Sequence, residues 1–263
     1  MNGYDMSSTT VVVSRPPSIG LAGRRFDNVF FSAMALLILA TVFLGFAHSY
    51  YLAGIFRAPL PSPIVHIHGA AMSCWILLFT TQICLVSAGR LDIHRRLGIA
   101  GFLLACLMVL LGAWVGTAQV VRLSADPKFP YPNFLRFFYI TPLTDDLIFA
   151  TLIFFAFRMR LNPAAHKRLI LIATITLTGA AIGRWPFAFL HNGPPLSILI
   201  AQLAIQFAFL LPIVGYDLWS SRKIHRATLW ASTFLILLEV IKFPIASTNT
   251  WNAFTTWAVS VAR

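Results

Sequence analysis

Charge is scarce in this 263-residue chain, and negative charge scarcer still: eight Asp and Glu stand against twenty Lys and Arg, and charged residues are 11% of the whole. A soluble globular domain carries roughly 25% charged residues, so the composition excludes one. Cysteine is also rare. Cys74, Cys84 and Cys106 each fall inside an apolar run and no Cys-x-x-Cys occurs, which excludes a disulfide framework and leaves three small buried-type hydrophobes. The first 26 residues lack an apolar core ahead of a small-residue cleavage site, so no cleavable signal peptide is expected and the first apolar run doubles as the insertion signal.

What the chain has is hydrophobicity, 58% of its residues. A membrane span needs about 20 mostly apolar residues, and seven runs qualify: 28–48, 64–86, 98–120, 142–158, 168–190, 196–216 and 228–247. The expected fold is an all-α polytopic bundle of about seven spans over 27–247, with a flexible tail at 1–26 and an interfacial helix at 248–263, where Trp251, Phe254 and Trp257 recur every three residues. The odd number of spans argues against a two-fold duplication. Thirteen of the twenty basic residues, among them Arg24, Arg25, Arg90, Arg95, Arg96, Arg158, Lys167, Arg168 and Arg222, fall in the tail and the even-numbered connections. This places the N-terminus in the cytoplasm and the C-terminus outside. The net charge of +12 is thereby accounted for without nucleic acid. The lipid bilayer is the expected partner, with a second membrane protein possible and the oligomeric state left open.

Ionisable groups inside spans are costly and usually face the bundle interior. On this topology Asp145 and Asp146 open the fourth span, Arg184 lies about two turns inside the outer end of the fifth, Gln202 and Gln206 share a face of the sixth, and Glu239 and Lys242 sit in the middle to outer half of the seventh. This predicts a polar cavity opening outward; the plainer alternative is a local Glu239–Lys242 pair. The stretch HIHGAAMSCWILLFTTQ, residues 66–82, belongs to the same picture. At about 100° per residue His66 and His68 diverge by about 200°, so only one faces inward. His68, Trp75 and Gln82, seven residues apart, make one inward stripe about 21 Å long. The connection RLSADPKFPYPNFLRFFY is either a plain interfacial loop or a partial lid.

The basic ends carry a second set: His94, Arg95, His166, Arg168, Asp217 and His225. Asp217 is expected to pair with the arginines and Asp92 to cap a short helix.

The motifs HG…W…Q…GR…HRRLG, AHKRL and YDL…H resemble those of a widespread group of uncharacterised multi-span bacterial inner-membrane proteins, over about Phe46 to Trp230. The matching residues are His68, Gly69, Trp75, Gln82, Arg90, His94, Arg95, Gly98, His166, Lys167, Arg168, Arg184, Asp217 and His225. Arg226 and Ala231 stand where the pattern has Pro and Gly. The resemblance implies the fold and topology and no activity.

Two functions fit these residues. Histidines ligate transition metals and b-type haem, and His48, His68 and His191 are the candidates for an outer redox site. Alternatively Glu239, Lys242, Arg184, Gln202 and Gln206 form the interior of a proton-coupled small-molecule transporter, although no helix broken at midplane is evident apart from Pro186, Pro212 and Pro244. A third possibility is a non-catalytic accessory subunit of a membrane complex.

Overall fold

The computed structural model describes residues 21–59, 61–127, 129, 134–187, 190 and 192–262. His191, the first 20 residues and residues 130–133 of the Pro-rich connection lie outside them. Among the described residues every regular element is helical. In chain order these are α1 (Leu21–Phe46), a π-helical turn (Ala47–Tyr51), α2 (Ala53–Phe56), α3 (Pro63–Ser87), α4 (Leu91–Ala125), α5 (Leu135–Arg158), α6 (Pro163–Thr176), α7 (Gly179–Ile182), α8 (Pro195–Ala208), α9 (Leu211–Ser221), α10 (Arg226–Ala246) and α11 (Asn249–Val261).

Seven of these units are long and apolar enough to cross a membrane: Arg25–Tyr51, Pro63–Ser87, Leu91–Ala125, Leu135–Arg158, Pro163–Ile182, Leu196–Ser221 and Arg226–Ala246. The helix ends follow local chemistry. Pro63 and Pro163 start α3 and α6, where a missing N–H costs nothing. Asn162 accepts from Ala165 N at 3.2 Å, and Thr248 accepts from Trp251 N at 3.1 Å, capping α6 and α11. Between α3 and α4 the chain reverses at Gly89, whose φ of +73° suits glycine. Asp92 sits in the first turn of α4, with Arg90 at the cap position, and that helix is not short but 35 residues long.

Two spans are irregular. The fifth breaks from α-helical bonding between α6 and α7 at Leu177–Thr178, and the sixth between α8 and α9 at Phe209–Leu210, just before Pro212; both tighten there to i→i−3 bonds with helical dihedrals kept. The fifth span is also the central one: 67% of it is buried, against 22–39% for the others. Its mean hydropathy, 1.2, is the lowest of the seven. The two facts belong together, because α6 is buried on every face and so meets protein, where threonine hydroxyls find partners, instead of lipid. Lipid-facing positions on other spans keep large apolar side chains, such as Leu36, Leu77, Leu103, Leu110 and Phe154.

Small residues let the spans close. A Cβ on Gly45 of α1 would run into the backbone of Ala181 in α7, and one on Gly112 of α4 into the Asp146 carboxylate. The C-terminal helix α11 lies across α4, α5 and α10. Trp251 Nε1 there donates to Arg136 O at 3.1 Å, and Phe254 stacks on Tyr139.

Candidate functional site

The polar side chains fall in two places, one inside the membrane-spanning region and one at the end bearing the basic connections. The inner group lies at a single depth. Trp75, Asp146, Asp145, Thr176, Glu239 and Gln206 stand twelve to fifteen residues from the basic end of their helices, or about 18–22 Å at the helical rise. In a core about 30 Å thick this is near mid-depth.

Gln206 ties the two helix breaks together. Its side chain is buried and its Nε2 donates to Thr176 O at 2.8 Å and to Ile175 O at 3.3 Å, the second of which also accepts from Thr178 N at 3.0 Å. Thr178 Oγ1 also donates to Ile175 O, at 2.7 Å. Gly179 lies beside Gln206, and Gly183 one turn on lies beside Gln202, so the two glutamines share a face as expected, and that face meets the fifth span. One turn below the break, Trp75 Nε1 donates to Thr174 Oγ1 at 3.4 Å while its ring meets Phe149 edge-on.

On the other side of α6 lies the acidic group. Lys242 Nζ donates to Glu239 Oε2, with both side chains almost fully buried, so the pair at i, i+3 is real. Glu239 Oε1 is buried and meets no donor. The acid coupled to it electrostatically is Asp145, half-buried on α5, across the contact of α5 with α10. Two neighbouring carboxyl groups repel when both are ionised, and one proton on the pair relieves that repulsion. Charge counting agrees: Asp145, Glu239 and Lys242 carry one net negative charge when all are ionised, and one proton makes the trio neutral. Asp146, the next residue along α5, points elsewhere. It is 8% exposed and lies against Gly112 of α4.

The remaining expected residues are placed as follows. His66 is exposed and His68 half-buried with its Nδ1 enclosed and unpartnered. Tyr50 packs against Gly69, between those histidines and the end of the first span, and its hydroxyl donates to His66 O at 3.1 Å. Gln82 Nε2 donates to His94 O at 3.2 Å, so the stripe of His68, Trp75 and Gln82 does face protein along its length. Arg184 is not two turns inside the fifth span but beyond its end, because the helix stops at Ile182 ahead of Gly183 and Pro186. Its guanidinium is exposed, donates to Ala180 O at 2.6 Å and lies over the Phe46 ring. His48 turns its ring to Phe56 at 4.7 Å. Among the described residues no three His, Cys, Asp or Glu side chains converge as metal ligands.

The basic end is held by consecutive residues of α6. Lys167 Nζ donates to Asp27 Oδ2 at 2.5 Å and to the Tyr216 hydroxyl at 2.9 Å; that hydroxyl in turn donates to Asp27 Oδ1 at 2.5 Å. Arg168 sends Nε and Nη2 to Asp217 Oδ1 at 2.8 and 2.5 Å, and Nη1 to Ala164 O. Asp217 Oδ2 accepts the backbone N–H of His225 at 2.9 Å, and His225 Nδ1 caps α10 by accepting from Ala227 N at 3.0 Å. Partial burial, then the nearby positive charge of Arg168, hold the His225 imidazole below its ordinary value. These contacts join the starts of the first, fifth and seventh spans to the end of the sixth. His94 and His166 meet edge to face at 6.3 Å, and His166 Nδ1 lies 2.9 Å from Ala156 O. Arg95 is exposed.

Asp27, Lys167, Tyr216, Gly112 and Thr174 were not among the expected site residues. Asp27 had a signal: it is one of only eight acids in the chain, and a lone acid at the edge of a span seeks a cation. No family model matches the chain, nor does any curated protein or solved structure.

Proposed function

We propose that this chain is a proton-coupled carrier of small molecules in the bacterial inner membrane, with its N-terminus in the cytoplasm. The observation that carries the reading is the buried Glu239–Lys242 pair at mid-depth, with the half-buried Asp145 as its acidic neighbour on α5. A group that is neutral with one proton and charged without it has a built-in reason to couple protonation to helix movement, because the charged form is costly in a dry interior. Two further features support it. The fifth and sixth spans both depart from regular α-helix at this depth, and Thr176 O in the fifth is bound by a side chain of the sixth, Gln206. The basic end is closed by ion pairs on the first, fifth and sixth spans, the contacts that would have to part for access from that side. The orientation rests on the distribution of Lys and Arg, and the resemblance of the HRRLG and AHKRL motifs to multi-span inner-membrane proteins supports the location.

The test uses the full chain in liposomes on a solid-supported membrane, challenged with amino acids, carboxylates, sugars and organic cations under a pH gradient. At least one class is expected to give a proton-coupled current, lost in Glu239→Gln. Absence of current with every class would overturn the reading, and a Soret band in the purified protein that disappears on histidine substitution would replace it with the haem-redox alternative.

A further inference from the structure

Asp146 is not part of the group formed by Asp145, Glu239 and Lys242. Its side chain leaves α5 about 100° around the helix from that of Asp145, and lies in a notch on α4 that exists only because residue 112 is glycine. A Cβ there would overlap the carboxylate, both oxygens of which lie against it. One of those oxygens, Oδ2, is buried and has no hydrogen-bond partner, in a side chain more than nine-tenths enclosed.

The surroundings offer no counter-charge. From α4, the charged groups Asp92, His94, Arg95 and Arg96 lie near its start and Arg122 in its last turn, at least ten residues or about 15 Å along the helix from Gly112, and the nearer titratable side chain, Cys106, brings no positive charge; on α5 itself Arg136 and Arg158 stand ten and twelve residues from Asp146. From α6, His166, Lys167 and Arg168 are at the basic end and engaged there. The helix α11 has no ionisable side chain. On α10, Lys242 is taken up by Glu239, with Asp145 facing that pair. A carboxylate with one oxygen enclosed and unpartnered and no cation beside it is stabilised by binding a cation small enough for the notch, and the proton alone needs no further ligands.

We propose that the Asp146–Gly112 notch is a second proton-binding site, separate from the Asp145–Glu239 pair, so that the centre takes up two protons. This deepens the carrier reading by setting its coupling ion and stoichiometry, but the site itself stands on its own geometry. Neutrality of the mid-depth layer requires both protons: one for the trio of Asp145, Glu239 and Lys242, and one for Asp146.

The experiment is acid–alkaline difference infrared spectroscopy of the purified full chain in nanodiscs, in the carboxylic C=O region, with proton uptake counted by a pH dye in weak buffer. The wild type is expected to show two carboxylic bands. Asp146→Asn, which keeps the shape, removes one band and one proton and leaves the other band in place; Glu239→Gln does the converse. Gly112→Ala, which crowds the carboxylate, shifts the Asp146 band and not the other. Thermal unfolding of each variant verifies that it is folded. A spectrum and proton count unchanged by Asp146→Asn in the folded protein would overturn the proposal. Loss of the Asp146 band alongside an unchanged spectrum in Glu239→Gln would instead uphold this site and refute the shared-proton centre.

Discussion

Substitution of Asp217 by Asn tests whether the basic end of the bundle is held by one buried charge. The Asp217 side chain is fully buried, and it accepts two bonds from Arg168, whose side chain is 5% exposed, and one from the backbone of His225. Asn keeps the shape and loses the charge, so the guanidinium remains enclosed without a counter-ion. Breaking one side of a buried pair costs about 3–5 kcal/mol. For a protein of this size that is a fall in Tm of roughly 6–20 °C. The assay is thermal unfolding in detergent, followed by tryptophan fluorescence. The double variant Arg168→Met, Asp217→Leu removes both charges together and leaves no orphan, so it is expected to be less destabilised than Asp217→Asn. A Tm for Asp217→Asn within about 1 °C of wild type, or a double variant as unstable as the sum of its singles, would refute the reasoning, since coupled partners are non-additive.

Further outcomes follow from other contacts. Gly45→Ala drives a methyl group into the Ala181 backbone and is expected to destabilise by about 1–3 kcal/mol, whereas Gly54→Ala, with open space around it, leaves Tm unchanged; equal effects would contradict the close approach of α1 and α7. Gln206→Leu removes the side-chain donor from Thr176 O, while Ile175 O keeps the N–H and hydroxyl of Thr178, with an expected loss of about 1–3 kcal/mol for the buried acceptor, measured as Tm. His225 caps α10 only with Nδ1 unprotonated, and its imidazole is held below the ordinary value. Its contribution to stability is therefore complete above about pH 6.5 and is lost as pH falls through the lower folded value. Between about pH 7.5 and 5 the wild type should lose more stability than His225→Asn, which caps without titrating; parallel curves would exclude His225 as the cause.

The seven spans were legible because hydrophobic length is a one-dimensional property, but their limits were not always. The fifth run was expected at 168–190 and the structure has Pro163–Ile182. It starts earlier because Lys167 and Arg168, which end an apolar run when counted by hydropathy, are neutralised inside the helix by Asp27 and Asp217. It ends earlier because Gly183 and Pro186 interrupt it. Glu239 with Lys242, the inward stripe of His68, Trp75 and Gln82, and the shared face of Gln202 and Gln206 followed from helical periodicity. The meeting of Asp145 with Glu239, the notch at Gly112 and the two aligned helix breaks did not, because each depends on which helices are neighbours. The break in the sixth span has Pro212 just after it, but that in the fifth has only Gly179, and it is the carbonyl-binding Gln206 of another helix that satisfies it.

The central position of the fifth span bears on how the chain reaches its membrane. A segment with a mean hydropathy of 1.2 partitions into lipid less favourably than its six companions, and two adjacent cations at its start add to the cost of solitary insertion. Once Asp27 is beside Lys167 that cost falls, and the first span is made before the fifth. The counter-ion for Arg168, at position 217, comes only at the end of the sixth span. In order of synthesis the counter-ion for Lys167 thus precedes the fifth helix and that for Arg168 follows it, and the least apolar span is also the most buried.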